Sequence, residues 1–292
     1  MNGIVKKGSY NNELKPGLGY FSATSIVIAN IIGAGIFTTS GLLMEDLGSP
    51  WLMLSLWLVG GIIALCGAVS YGELGAAMPH SGGEYYFLSR IFHPVLGFMS
   101  GWVSLIVGFS APIAASALGF GEYILRAFPH FANSVMANSP EAATIFPKTA
   151  GLIVIAIFSA VHLKGIRLGS RVQNILTVLK VLIIAAVITA GLLSGKGSLS
   201  NLNMGEFMAP GLSGPGTIGL ALMWILFAFS GWNASSYLGS EIRKPERNLP
   251  ASLITGTIIV TILYLLINLV YVRALGPEGM KEVGNTIMTN AL

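Results

Sequence analysis

Residues 31–37 read Ile31-Ile32-Gly33-Ala34-Gly35-Ile36-Phe37, and residues 227–233 read Phe227-Ala228-Phe229-Ser230-Gly231-Trp232-Asn233. Each stretch sits in the middle of a long apolar segment, the first and the sixth in a series of seven. A helix that breaks inside a membrane bares backbone groups that lipid cannot satisfy. Such a break survives only where protein or a watery cavity covers it. Interrupted segments at matching places in two repeats point to the binding site of a carrier. The fold class follows: an all-α polytopic membrane protein.

Composition agrees. The chain is 53% hydrophobic and 10% charged, with a mean hydropathy of +0.75, whereas soluble domains carry about 25% charged residues. Spans are expected at 20–44, 51–77, 92–125, 149–163, 172–194, 217–240 and 250–273, because a hydrocarbon core of about 30 Å needs roughly 20 residues of helix. The third is too long for one perpendicular crossing and contains Pro112, so a tilt or kink is expected. Residues 80–91 read as an interfacial turn and short helix, with Tyr85 and Tyr86 at headgroup level.

The net charge of +4 has a topological origin and does not call for nucleic acid. Lys6, Lys7, Lys15, Arg90, Lys164, Arg167, Arg171, Arg243, Lys244 and Arg247 fall on one side of the spans. Arg126, Lys148, Lys196, Arg273 and Lys281 fall on the other. The richer side is the cytoplasmic one, which puts the amino terminus inside and, after seven spans, residues 275–292 outside. A seven-helix receptor has the opposite polarity and is excluded. The resulting organisation is a cytoplasmic tail (1–19), five helices (20–194), an extracellular loop (195–216), helices six and seven (217–274) and an extracellular segment (275–292).

A helix that stops and restarts gathers free N–H groups at the positive end of the restarting half, where a carboxylate fits. The half that ends presents free carbonyls suited to an ammonium group. An α-amino acid carries both groups on adjacent atoms. Gly33, Ala34 and Gly35 let a ligand approach the backbone, although small residues also serve helix packing. Ser230-Gly231 supplies the second break. Gly60, Gly61 and Gly67 have no matching partner and read as packing residues.

An enzyme would need convergent acids, histidines or a nucleophile at one depth. His80, His93, His130 and His162 lie instead at span ends or in loops. A channel would need a ring of polar groups or repeated filter glycines, and neither is present. No cofactor or metal site is expected. Cys66, the single cysteine, lies in an apolar run and excludes an intrachain disulfide.

Three motifs carry a resemblance to a known family: IIGAGIF in the first segment, YGELGAAMPHSGGEYYFLSRIFHPVLGFMSGWVS at 71–104, and FAFSGWNASSYLGSEIRKPERNLPASL at 227–253. In this order they resemble the amino acid–polyamine–organocation permeases, over residues 17–275, and within them most of all the L-type amino acid transporters and their bacterial relatives. The resemblance implies a five-plus-five inverted-repeat fold of the leucine-transporter type with about twelve spanning helices. The chain would then hold the first repeat and the first two helices of the second, as a fragment or a truncated product. The implied activity is secondary transport of neutral amino acids by alternating access, as exchanger or permease, without sodium. A non-transporting remnant is the alternative.

Residue by residue, the resemblance assigns the substrate carboxylate to the amides of Gly33, Ala34 and Gly35, with Ile31 lining the pocket beside them. Many members carry serine where this chain has Ala34, so a hydroxyl contact is absent here. The carbonyls of Phe227, Ala228 and Ser230 are assigned to the α-amino group, and Phe227 also to an aromatic gate. Glu241 is implied in a cytoplasmic gate of ion pairs. Asn233, nominally a glycosylation acceptor, reads instead as a polar support for the break. Lys180 is the one lysine inside a span: counted from Val172 it could snorkel to the interface, or its ammonium could replace a sodium ion or couple protons. Relatives that bind an accessory glycoprotein do so through a cysteine in the loop between the third and fourth segments. Residues 126–148 contain none, so no disulfide-linked subunit is expected.

Overall fold

The computed structural model describes residues 17–138, 141–194, 197–204 and 214–289. Most of the tail, much of the 195–216 loop, residues 290–292, and Lys6, Lys7, Lys15 and Lys196 of the charge count lie outside the described residues. Among those described, six segments are long and apolar enough to cross a membrane. The remaining segment, the sixth, contributes the shorter apolar helix Pro215–Ala228.

The first segment is two helices, α1 (Tyr20–Ile31) and α2 (Gly35–Leu47), separated at residues 32–34. Gly48 ends α2 in the left-handed conformation, φ 63°, where a side chain would be strained. Helix α3 (Pro50–Ala77) starts with Pro50 in its first turn and with the Ser49 hydroxyl accepting the Leu52 N–H. Proline fits there because that turn has no use for its missing N–H. The short helix expected within 80–91 is α4 (Glu84–Ile91).

The third segment runs through α5 (Pro94–Val103), a π-helical stretch at Ser104–Ser110, and α6 (Ala111–Ala127). The irregularity expected from Pro112 therefore takes the form of a wide turn just before the proline, where the missing N–H would otherwise have left a carbonyl unpaired. After α7 (Pro129–Asn138) come α8 (Ala142–Leu163) and α9 (Ile166–Leu193). Both begin earlier than hydropathy indicated. Lys148, Arg167 and Arg171 mark where the chain leaves the apolar layer, but the helices continue past them.

The sixth segment is α10 (Pro215–Ala228), a turn at 229–233, and a 3-10 helix at Ala234–Glu241. The seventh, α11 (Pro245–Thr289), carries a non-helical Gly276 just before Pro277.

The core lies where α1, α2, α3, α10 and α11 meet the inner face of α9, around Trp57, Phe229 and Tyr264. Their rings make tilted and edge-on contacts at 5.1–5.9 Å. The packing reading of the α3 glycines holds. A Cβ on Gly60 would strike Ile225, one on Gly61 would strike Thr261, and one on Gly67 would lie 2.7 Å from the Trp232 ring. These glycines let α3 sit against α10, α11 and the helix-six turn. By contrast, only 6% and 11% of the third and fourth apolar windows are buried, against 44% for the first, second and seventh. The apolar outer faces of α5, α6 and α8 suit a hydrocarbon solvent.

Candidate substrate-binding site

Both interrupted stretches are unwound, and they face one another. The N–H groups of Gly33, Ala34 and Gly35 have no backbone acceptor among the described residues. Gly33 and Ala34 are exposed, and a Cβ on Gly33 would meet nothing within 4 Å. A Cβ on Gly35 would instead lie 3.1 Å from the Ala228 Cβ and 3.3 Å from its Cα. Gly35 is thus one point where the two breaks touch.

Gly231 is the other. Its φ of 98° belongs to glycine, and a Cβ there would lie 2.8 Å from the carbonyl carbon and oxygen of Asn30. Past this turn the chain resumes as a 3-10 helix. The restart is therefore tighter than an α-helix, and the break falls within 227–233 as expected.

Three carbonyls at the end of α1 are taken by side chains from distant helices. The Lys180 ammonium donates to Ala29 O at 3.2 Å and to Ile32 O at 2.6 Å. The Tyr264 hydroxyl bonds Ile31 O at 2.9 Å and Ala228 O at 3.2 Å, so one O–H is shared between the two breaks. A cation at a helix carboxyl end is also favoured by the dipole. Lys180 lies fourteen residues past Ile166, about 21 Å along α9 at 1.5 Å per residue, near its midpoint. The snorkelling alternative assumed a start at Val172, and the ammonium points into the break instead.

In helix six, the Phe227 carbonyl accepts Ser230 N–H at 3.0 Å and the Ala228 carbonyl is shared with Tyr264. Each keeps a second lone pair. No donor among the described residues takes the Ser230 carbonyl. Phe227 is 64% exposed, while Ala228 is buried. Ile31 gives its side chain to the core and its carbonyl to Tyr264. The breaks thus bring bare amides on one stretch close to carbonyls with free lone pairs on the facing one.

On the amino-terminal side of the breaks, Gly17 and Leu18 donate to Glu241 O at 3.0 and 2.9 Å, and Arg243 donates to Leu18 O at 2.8 Å. This short parallel bridge ties the chain entering α1 to the chain leaving helix six. Glu241 contributes through its backbone, and its carboxylate makes no ion pair among the described residues. Burial raises that carboxyl above the usual range. A cleft of about 410 Å³ with Leu18, His162, Ser170 and Glu241 on its walls lies here. A second, of about 730 Å³, reaches Phe37 and Lys180, and Asn30 and Gln173 line both.

Tyr264 escaped the sequence reading. Nothing in Thr261-Ile262-Leu263-Tyr264-Leu265-Leu266 marks a hydroxyl that reaches two other helices. The usable signal was the polar pair Tyr264 and Asn268, one turn apart in an otherwise apolar span. Both are buried, and Asn268 bonds Tyr264 O at 2.8 Å.

Paired helix breaks at matching places in an all-helical membrane protein are the arrangement on which carriers build their binding sites. Residues 18–292 match the amino acid permease family, and the chain belongs to it. It is similar to the mouse (Mus musculus) large neutral amino acids transporter small subunit 2, with 34% identity over 286 residues, 94% of this chain and 51% of the relative. It is 33% identical to the mouse b(0,+)-type amino acid transporter 1 over 283 residues, 95% of this chain and 56% of the relative. The human (Homo sapiens) b(0,+)-type transporter is 36% identical over 260 residues, covering 89% and 51%. The chain spans about half the length of the relatives it matches.

Proposed function

We propose that this protein is a secondary amino acid transporter of the plasma membrane, moving neutral amino acids by alternating access without sodium, with its amino terminus in the cytoplasm. One observation carries the reading: the N–H groups of Gly33, Ala34 and Gly35, without a backbone acceptor and exposed at Gly33 and Ala34, stand opposite helix-six carbonyls with lone pairs to spare. The carboxylate docks on the amides at the positive end of α2, and the α-ammonium docks on the carbonyls of Phe227, Ala228 and Ser230. With alanine at position 34, backbone alone holds the carboxylate. Phe227, exposed at the edge of the break, closes over the bound molecule.

Sodium independence follows from Lys180. Its ammonium occupies the carbonyls of Ala29 and Ile32, oxygen ligands that a hard cation would otherwise take. Alternating access requires the inner side to open, and there the bridge from Leu18 to Ile242 must be released. Glu241 belongs to that gate through its peptide group. The large-neutral relative is named a small subunit, so a partner chain enters the proposal as well. Cys66 is the one cysteine of these 292 residues and lies within α3, so no disulfide to such a partner is proposed through them.

The test is uptake and counterflow of a panel of radiolabelled amino acids by the purified protein in proteoliposomes, with sodium or choline outside. Exchange of neutral amino acids at equal rates in both salts is expected. Absence of uptake for every amino acid would refute transport, and strict dependence on sodium would refute the role of Lys180.

A further inference from the structure

The turn between α3 and α4 is fastened along the 3-10 helix that restarts helix six. Ser81 N–H donates to the Ser240 hydroxyl oxygen at 3.0 Å, and Ser240 N–H donates to the Ser81 hydroxyl oxygen at 3.1 Å. Gly82 N–H donates to Tyr237 O at 3.2 Å. Gly83, at φ 52°, leaves room for the Tyr237 ring, which a Cβ there would approach to 2.7 Å. At the head of this seam the Asn233 amide donates to Glu84 Oε1. The same amide donates to the Tyr237 hydroxyl oxygen at 3.4 Å, and Glu84 Oε2 is buried without a hydrogen-bond partner among the described residues.

Asn233 is the last residue of the unwound turn and the cap of the 3-10 helix. The residues just before it, Phe229 to Gly231, are held locally by Phe229 N–H to Ile225 O, Ser230 N–H to Phe227 O and Ala234 N–H to Gly231 O, each at 3.0 Å, and contacts from other helices seat this turn against its surroundings. Tyr264 does this at the α10 end, through Ala228 O. At the other end the one side-chain hydrogen bond from Asn233 to a neighbouring element goes to Glu84.

We propose that Glu84 is a positioning residue for the ammonium half of the substrate site: by holding Asn233 it sets the helix-six turn, and with it the peptide planes of Ala228–Gly231. The proposal rests on the transport reading for its substrate but not for the tether itself. It also gives the Ser-Gly-Gly-Glu turn a purpose beyond joining two spans.

The test is a donor–acceptor swap read in two ways. In a C66A/S235C background, the introduced thiol sits on the face of the 3-10 helix that packs on Ser252, where Ser235 is fully buried. Its rate of reaction with a membrane-permeant maleimide reports the seating of the restart without any transport. The second reading is the KM for amino acid uptake in proteoliposomes, in the otherwise native protein. E84A, which removes the acceptor, and N233D, which sets two carboxyl groups against each other, should each raise labelling and KM by about tenfold, the size of one lost hydrogen bond. E84Q/N233D re-forms the bond with the roles exchanged and should bring both readings most of the way back. Unchanged labelling and KM in E84A would overturn the proposal, as would a swap that restores neither. If the native protein takes up no amino acid while labelling follows the cycle, transport fails and the tether stands.

Discussion

Tyr264→Phe removes one oxygen and nothing else. The ring keeps its edge contact with Trp57 at 5.3 Å and its tilted contact with Phe229 at 5.1 Å, so neither cavity nor clash is created. What disappears is the hydroxyl shared between Ile31 O at 2.9 Å and Ala228 O at 3.2 Å. One O–H carries one proton, so the direct loss is a single net hydrogen bond of about 1 kcal/mol, with a further cost for carbonyls left buried and unpaired that brings the total to about 1–3 kcal/mol. A coupling of that size corresponds to a change of about 5- to 150-fold in the equilibrium it governs. Because the two carbonyls belong to the two breaks, that equilibrium is the one between the facing arrangement and looser ones. Uptake kinetics in proteoliposomes, normalised to protein in the vesicles, should show KM raised by about tenfold with the order of preferred substrates kept. A KM within twofold of the native protein would refute the role of this hydroxyl in joining the breaks.

Gly35→Val should abolish substrate binding while leaving membrane insertion intact, since its side chain would strike Ala228; native uptake by this variant would remove Gly35 from the site. Gly33→Val places its Cβ where nothing lies within 4 Å and should fold well yet block binding by filling the ligand's space, so native affinity in a binding assay would contradict it. Lys180→Met leaves the carbonyls of Ala29 and Ile32 without their donor and should alter uptake rate or its pH dependence between pH 5 and 8; a native profile throughout would leave the ammonium with no part in transport. For Glu241 the carboxyl is raised by burial, so the folded protein holds that proton more tightly than the unfolded chain. Its ionisation then costs stability as pH rises past the unfolded value. Glu241→Gln should gain more thermal stability over the native protein at pH 7 than at pH 4, and an equal difference at both would contradict this.

The breaks were legible because small residues in mid-membrane conflict with the demand for a continuous helix. The packing glycines of α3 were legible for a related reason: they lacked a counterpart in a second repeat. Helix ends were harder. Hydropathy marks where a chain leaves lipid, while a helix stops where capping and turn residues stop it. This is why α9 starts at Ile166, just after Gly165 at φ 115°, and why the depth of Lys180 was first underestimated. The 3-10 restart after Asn233 depends on Gly231 lying against Asn30 and on the Ser81–Ser240 pairing, contacts between residues far apart in sequence. Tyr264 and Glu84 were missed for the same reason: each acts through a partner more than thirty residues away.

The most direct measurement is competition for uptake by three analogues of one transported amino acid: the decarboxylated amine, the deaminated acid and the carboxamide. If peptide dipoles at two unwound helices grip both charged groups, each analogue should compete at least about a hundredfold less well than the parent, the scale expected when buried polar groups lose a charged partner. Equal competition by the amine or by the acid would mean that one of the two breaks takes no part in holding the substrate.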